Sequence, residues 1–540
     1  MLARIRRRAL ALLLALVLCA GLDMGPVAQE AQAASDGMVR VLLSRVGTTR
    51  TSLTMKTSCT YAIGSVNGEK IPGGSTVQVY ISGGMLYLSV NGETMRTGTS
   101  VTLYRMSRGN AGVQFTSPNL ANIYCGDMKF SIVSGAIQPI CRIYIEDYLY
   151  GVVAYEMSNT FPLEALKAQA VCARTYAMRL KKNSGTYDLT DTATHQVFKG
   201  YNSSYKNVIA AVAATKGQCL LYGGDYAGCW YTASNGGQTE STKNIWGGNV
   251  PYSIVKDDPY DLANPSSTAK RHSVPKDADG LHAKLATLLK VEFAPQLAEM
   301  GLSDAHEDIR IEGVLAIEPH SPKYPEPSYT YTELRFGCLV SSVDAAGIRQ
   351  SAVRLTADLE TYDQLAKILP LDIGSTTAET VYVEENDDSF DIVFRRYGHG
   401  VGMSQRGAQQ MAGEHAMTFD EILDFYFPGT SLTKLDLIDS TAQNAPSEDD
   451  PLPEDDGTLR YGDTGEEVKA LQRKLKELGY FTGNIGGNYL TLTTEAVKAF
   501  QADHGFTPDG VATKEVQQAI FGTAAPTPTP APTPTPKPTA

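Results

Sequence analysis

IYIEDYLYGVVAYEMSNTFPLEALKAQAVCARTYAMRL, residues 143–180, sets the frame for the chain. Ile145, Tyr148, Leu149, Val152, Val153 and Glu156 recur at helical spacing, so one stripe is apolar until its last member, a carboxylic acid. Glu156 is therefore expected to face inward. A carboxyl half-buried against Val and Tyr resists ionisation, and its raised pKa is what a general acid needs near neutral pH. The same spacing also fits a glutamate that merely closes the helix beside a cation. Pro162 suits the first turn of a second helix. There Lys167 and Arg174, close to two turns apart, share a face with Ala170 and Ala177. Opposite Glu156, the two cations would position an anionic or carbonyl-bearing substrate; facing water, they would form a solvated basic edge.

Outward from this helical pair the periodicity changes. Residues 38–140 alternate polar and apolar side chains and carry two turn signals, Asn67-Gly68 and Asn91-Gly92, the pattern of a hairpin-rich β region. Residues 206–255 read as short strands punctuated by glycine pairs. A mixed stretch over 278–438 ends in an amphipathic helix from Thr418 to Phe427. The fold class is α+β: a hairpin-rich mixed catalytic region over 34–438, divided into a β-rich part (38–140), a motif core (141–260) and an insertion with a C-terminal part (261–438). An acidic, Pro-rich linker at 439–457 leads to a compact helical unit at 458–522. Residues 523–540 alternate Pro with Thr or Ala, the composition of an extended polyproline tail.

With 540 residues the chain exceeds one ordinary core, and 42% hydrophobic with 20% charged residues is globular composition. A net charge of -12 excludes a nucleic-acid binder, because phosphate contacts require clustered Lys and Arg. The one basic cluster, Arg4 with Arg6, Arg7 and Arg8, precedes an apolar run and the small-residue pattern Ala31-Gln32-Ala33. Residues 1–33 thus read as a signal peptide. The product is expected to be secreted or wall-associated, with membrane contact only if that segment stays uncleaved. Seven sparse cysteines beyond Cys19, with no CxxC pair, read as buried thiols rather than a disulfide framework, although Cys219 and Cys229 flank a turn across which a bond is conceivable.

Two further segments carry polar groups that could do chemistry. In RYGHGVGMSQRGAQQMA, residues 396–412, three glycines surround His399, and Ser404 is placed to cap a helix opened by Gln405. His399 reads either as a loop-fixing residue or as an active-site participant. The segment lacks the lysine of a phosphate loop, the spacing of a hydrolase elbow and a second histidine at metal spacing. In WYTASNGGQTESTKNIWGG, residues 230–248, Ser234, Asn235, Gln238 and Thr239 surround a glycine pair, with Trp230 and Trp246 available to stack on a sugar ring; a plain hairpin turn fits equally.

Taken together, residues 146–180, 230–256 and 398–432 strongly resemble the stage II sporulation protein D and amidase-enhancer LytB family of bacterial cell-wall proteins, over roughly residues 38–438. The resemblance implies peptidoglycan as the substrate class and carries the family's catalytic glutamate onto Glu156, with Lys167 and Arg174 as its partners. It also implies a substrate groove formed by Ser234, Asn235, Gly237, Thr239, His399, Ser404 and Gln405. One branch consists of lytic transglycosylases that cut glycan strands between N-acetylmuramic acid and N-acetylglucosamine, some in sporulation. The other is described as a non-catalytic enhancer of N-acetylmuramoyl-L-alanine amidases. Glycan strands, and an amidase or a sporulation wall complex, are the implied partners, and no cofactor is implied. Some members bind zinc through cysteines beside the histidine matching His195; here Asp191, Thr192 and Thr194 stand there, so no metal is expected. Tyr397 and Arg406 stand where the family commonly shows Trp. Residues 459–516 resemble the peptidoglycan-binding type 1 domain, a small three-helix bundle.

Overall fold

The computed structural model describes residues 35–374, 377–440, 457–460, 463, 465–483, 485–487, 489 and 491–522. The signal peptide, most of the acidic linker and the Pro/Thr tail expected from the sequence lie outside the described residues.

The β-rich part is two sheets facing one another over a shared core. One has five strands, from Ser52–Thr57 to Val113–Ser117; the other has seven and includes Met38–Leu42, Asp127–Val133 and Ala136–Tyr144. Alternation does the sorting. Leu53 and Met55 from the first sheet are buried in the same core as Val39, Val41, Met128 and Phe130 from the second. Asn91 and Gly92 have φ of 50° and 99°, the left-handed pair that a two-residue hairpin turn between Met85–Val90 and Glu93–Gly98 requires.

The long strand Ala136–Tyr144 runs straight into helix α1 (Ile145–Glu156), so the sheet fixes where α1 begins. The apolar stripe of α1 is the core stripe: Ile145, Tyr148, Leu149, Val152 and Val153 are all fully buried. Each large side chain on it contributes about 1.5–3 kcal/mol. Helix α2 (Leu163–Arg179) packs against α1, and its small residues Ala165, Ala170 and Ala173 are fully buried in the same core. Helix α3 (Lys206–Ala214) occupies part of the region read as strands; Val208, Ala211 and Val212 form a short buried helical stripe there, which the flanking glycine pairs disguised.

A second core belongs to the insertion between Asn264 and Arg396. It has two three-stranded sheets, Ala269–Pro275 with Ser389–Arg395 and Thr380–Glu385, and Arg310–Pro322 with Tyr331–Ser341 and Val353–Glu360. Helix α4 (Ala283–Glu299) covers it with Leu285, Leu289, Phe293 and Leu297, spaced by one helical turn and all fully buried. Helices α5 (Gln405–Glu414) and α6 (Phe419–Tyr426) return to the first core. Ser404 caps α5 by accepting from Gly407 N at 3.1 Å, and Thr418 opens α6 in a capping box with Glu421.

The C-terminal unit contains α7 (Glu466–Glu477), α8 (Thr491–Asp503) and α9 (Lys514–Gly522) around Val468, Leu471, Leu475, Val497, Phe500 and Ile520. The architecture is α+β with this helical unit appended. No helix among the described residues is long and apolar enough to cross a membrane.

Candidate functional site

Glu156 is the last residue of α1, half-buried, with no basic residue in that helix's final turn. A carboxylate at a helix C-terminus faces the negative end of the macrodipole. Its pKa is raised, chiefly by burial; hydrogen bonds from the backbone N–H of Val197 and from Tyr231 oppose that shift. Val197 N donates to Oε1 at 3.0 Å. The carboxyl is thus set against a shell of Tyr148, Tyr176 and Tyr231, all of whose hydroxyls feel its charge.

Gln196 ties that shell together. Its Nε2 donates to Tyr231 Oη at 3.2 Å and to the Ala173 carbonyl at 3.2 Å, while Oε1 accepts from Tyr148 Oη at 3.1 Å. Neither Gln196 nor Val197 was selected from the sequence. They follow His195 in a segment whose only obvious signal was that histidine. His195 Nδ1 lies 2.9 Å from Thr190 Oγ1, and burial lowers its pKa.

The two cations expected beside Glu156 are engaged elsewhere. Arg174 is fully buried and grips Glu146 through Nε at 2.8 Å and Nη2 at 2.5 Å, with Nη1 on the Gln218 carbonyl at 3.1 Å. A guanidinium so enclosed cannot reach a polymer. Its helical face is one that α1 and α3 cover, and the spacing to Lys167 carried no information about that. Lys167 pairs with Glu164 at 2.7 Å, three residues before it on α2.

Most of the expected groove residues form a buried polar network instead. Asp261 accepts from Ser234 Oγ at 3.0 Å, Asn235 N at 3.1 Å, Gly236 N at 3.1 Å and Ser404 Oγ at 2.5 Å. Asp258 accepts from Asn235 Nδ2 and Tyr426 Oη, both at 2.7 Å. Ser234, Asn235, Ser404, Asp258 and Asp261 are all fully buried. Gly237 takes φ of 91° and donates its N–H to Asn235 Oδ1, and Thr239 Oγ1 donates to the Ile254 carbonyl at 2.8 Å. Gln405 meets Gln169 of α2 at 3.3 Å. These residues hold two motif segments together rather than presenting groups to a ligand. The sequence could not reveal this for Ser234, Asn235 and Ser404, because their partners Asp258 and Asp261 lie outside every motif.

Beside this network two aromatic side chains are exposed, Trp246 and Tyr397, with Trp230 and His399 half-buried next to them. Trp230 packs on Trp246 at 5.5 Å between ring centroids, and Trp246 on His399 at 5.0 Å. His399 Nδ1 accepts from Val401 N at 2.9 Å, and burial together with the nearby Arg396 pushes its pKa down to about 4, so the ring is neutral with its remaining proton on Nε2. Trp246 is 44% exposed and Tyr397 53%. Tyr231–Thr232 pairs with Met403–Ser404, which sets Tyr231 near Glu156. The close approach of the two segments requires Gly402: its φ is 77°, and a Cβ there would sit 2.0 Å from the Trp230 carbonyl oxygen.

Among the described residues, one group has metal-ligand proximity, His320 with Glu333 and Asp358 on the insertion. Arg335 already bonds both oxygens of Asp358 at 2.7 Å, which makes it an ion-pair cluster.

Residues 133–222 match a family model described as "Stage II sporulation protein", and residues 464–520 match "Putative peptidoglycan binding domain". The "Amidase enhancer" of Bacillus subtilis is 30% identical over 53% of this chain and 40% of its own length. The "Stage II sporulation protein D" of the same organism is 27% identical over 56% of this chain and 78% of its own length. This chain therefore spans less than half of the first of these relatives. A solved SleB N-terminal domain is 31% identical over 12% of this chain and 92% of that domain, with a TM-score of 0.12.

Proposed function

Because the chain belongs to the stage II sporulation protein D and amidase-enhancer family and carries a peptidoglycan-binding domain, we propose that it is a secreted, wall-associated lytic transglycosylase with Glu156 as its single catalytic carboxyl. The observation that carries this reading is Glu156 itself: half-buried at a helix C-terminus, protonated more readily than a free glutamate, and met by two donors that keep ionisation within reach. Hydrolysis uses two carboxylates. Asp191, the other acid whose charge reaches Tyr148, is fully buried with its oxygens taken by the N–H groups of Ser44 and Arg45, so it is not available as a partner. One carboxyl suffices when the sugar's own C6 hydroxyl replaces water. Glu156 protonates the glycosidic oxygen, the bond to C1 breaks, and the resulting carboxylate takes the C6 hydroxyl proton as that oxygen closes on C1, leaving a 1,6-anhydro-muramoyl end.

Such proton transfer supplies about 10²–10⁴ in rate, and positioning on the polymer must supply much of the rest. The exposed Trp246, packed against half-buried Trp230 and His399, offers stacking surface, and the module at 458–522 raises the local concentration of wall polymer. Lys167 and Arg174 fall outside this mechanism, the first tied to Glu164 and the second enclosed with Glu146. A role in sporulation is part of the proposal through the relatives' names alone.

The rival reading, a non-catalytic amidase enhancer, is favoured by the name of one relative. Mass spectrometry of sacculi digested with the purified chain decides between them. Anhydro-muropeptides that vanish in Glu156→Gln are expected; products that appear only after an amidase is added would establish the rival.

A further inference from the structure

We propose that Lys199 is a substrate-binding residue: its ammonium takes a carboxylate on the muramoyl side arm and so sets which sugar of the strand brings its C1 to Glu156. The inference rests on the reading of Glu156 as the acid and of wall glycan as the substrate. It starts from residues 196–200, which lie along α1. Lys199 N donates to the Gly151 carbonyl and Val197 N to Glu156 Oε1, both at 3.0 Å. The approach is close enough to need Gly151, where a Cβ would sit 2.6 Å from the Phe198 ring and 2.7 Å from Gly200 N. Burial alternates along the segment. Gln196 and Phe198 are fully buried, whereas Val197 and Lys199 are half-buried, like Tyr155 and Glu156.

The Lys199 side chain reaches back along the helix by one turn. Its Nζ lies over the Tyr155 ring, 4.2 Å from the centroid, beside the residue that carries the acid. Asn122 holds both halves of this contact: its Nδ2 donates to Tyr155 Oη at 2.6 Å and to the Lys199 carbonyl at 3.0 Å, while its Oδ1 accepts from Asn202 Nδ2 at 3.2 Å. The platform is therefore fixed before a ligand arrives. What the ammonium lacks is an anion. Among the described residues it enters no ion pair and donates no hydrogen bond, whereas Lys167 and Arg174 are each neutralised by a glutamate. Burial, with the charge of Arg45, lowers its pKa, as expected of a cation with no acid beside it.

The two sugars of the wall polymer differ in the group such a cation selects. The muramoyl unit bears an acidic side arm on O3, and the glucosaminyl unit has none. That arm ends in a free lactyl carboxylate where the peptide has been removed; where the peptide remains, the carboxylates lie on the peptide. Either source offers the same partner, and a charge-assisted contact at Lys199 would hold the muramoyl unit at the acid in preference to its neighbour.

The test uses the full chain carrying Glu156→Gln, so that no turnover intervenes, with acetylation of Lys199 by acetic anhydride read by mass spectrometry. Three probes are compared: a muramoyl-containing tetrasaccharide stripped of peptide, the same tetrasaccharide with its stem peptides, and the N-acetylglucosamine tetramer, which has no carboxylate. Protection by the stripped probe, with or without the second, assigns the lactyl carboxylate; protection by the peptide-bearing probe alone assigns a peptide carboxylate. Protection by the tetramer equal to that by the muramoyl probes, or none from any of them, overturns the proposal. With Glu156 intact, Lys199→Met is expected to raise KM for anhydro-muropeptide release about fivefold, the loss of one partly exposed ion pair, with the smaller share of the change in kcat. Lys199→Arg should restore most of it. A chain that shows the protection but releases no anhydro-muropeptides upholds the Lys199 site and retires the transglycosylase reading alone; one that releases them without the protection retires the site alone.

Discussion

Replacing Arg174 by Met tests whether that residue acts on a substrate or on the fold. The structure places its guanidinium in complete burial, with two bonds to Glu146, one to the Gln218 carbonyl at 3.1 Å, and Glu146 Oε1 also accepting from Gly217 N at 3.0 Å. Removing the cation strands a carboxylate whose side chain is 6% exposed, the situation that costs about 3–5 kcal/mol. In a domain of this size each kcal/mol lowers the midpoint by about 2–4 °C, so a fall of about 6–20 °C is expected. Thermal melting followed by circular dichroism reads it. The double change Glu146→Met with Arg174→Met should recover more than half of the loss, since no charge is then left unpaired. A single variant that melts with the native chain while losing all cleavage would refute the structural assignment and return Arg174 to the active site.

His399 makes stability depend on pH. Its folded pKa of about 4 lies below the ordinary histidine value, because burial and Arg396 disfavour the charged ring. Between that value and the unfolded value of about 6.5, the unfolded chain binds the extra proton. Stability attributable to His399 is therefore complete above about pH 6.5 and is lost as pH falls toward 4. Denaturant melts across that window should show a smaller loss in His399→Asn, and identical slopes would count against the assignment. Asp261→Asn gives Ser404, Ser234 and two backbone N–H groups a weaker acceptor and should cost about 3 kcal/mol, read as faster hydrogen exchange in residues 234–240 and 402–407; unchanged exchange would contradict the network.

Periodicity was sufficient for what lies within one helix. The stripe ending in Glu156, the Ser404 cap and the Asn91-Gly92 turn depend on neighbours within a few residues, and local geometry leaves them little choice. The α+β character and the appended helical unit follow from the same local patterns. What each polar side chain meets was decided only in three dimensions. Arg174 and Lys167 share a spacing yet differ in fate, because α1 and α3 bury one while the other sits beside Glu164. Ser234, Asn235 and Ser404 had the composition of a sugar groove, and two aspartates distant in sequence turned them inward. Gln196 and Tyr231 carried no local signal, since a hydrogen-bond chain is specified by distances between elements, and those distances come into being only when the cores pack.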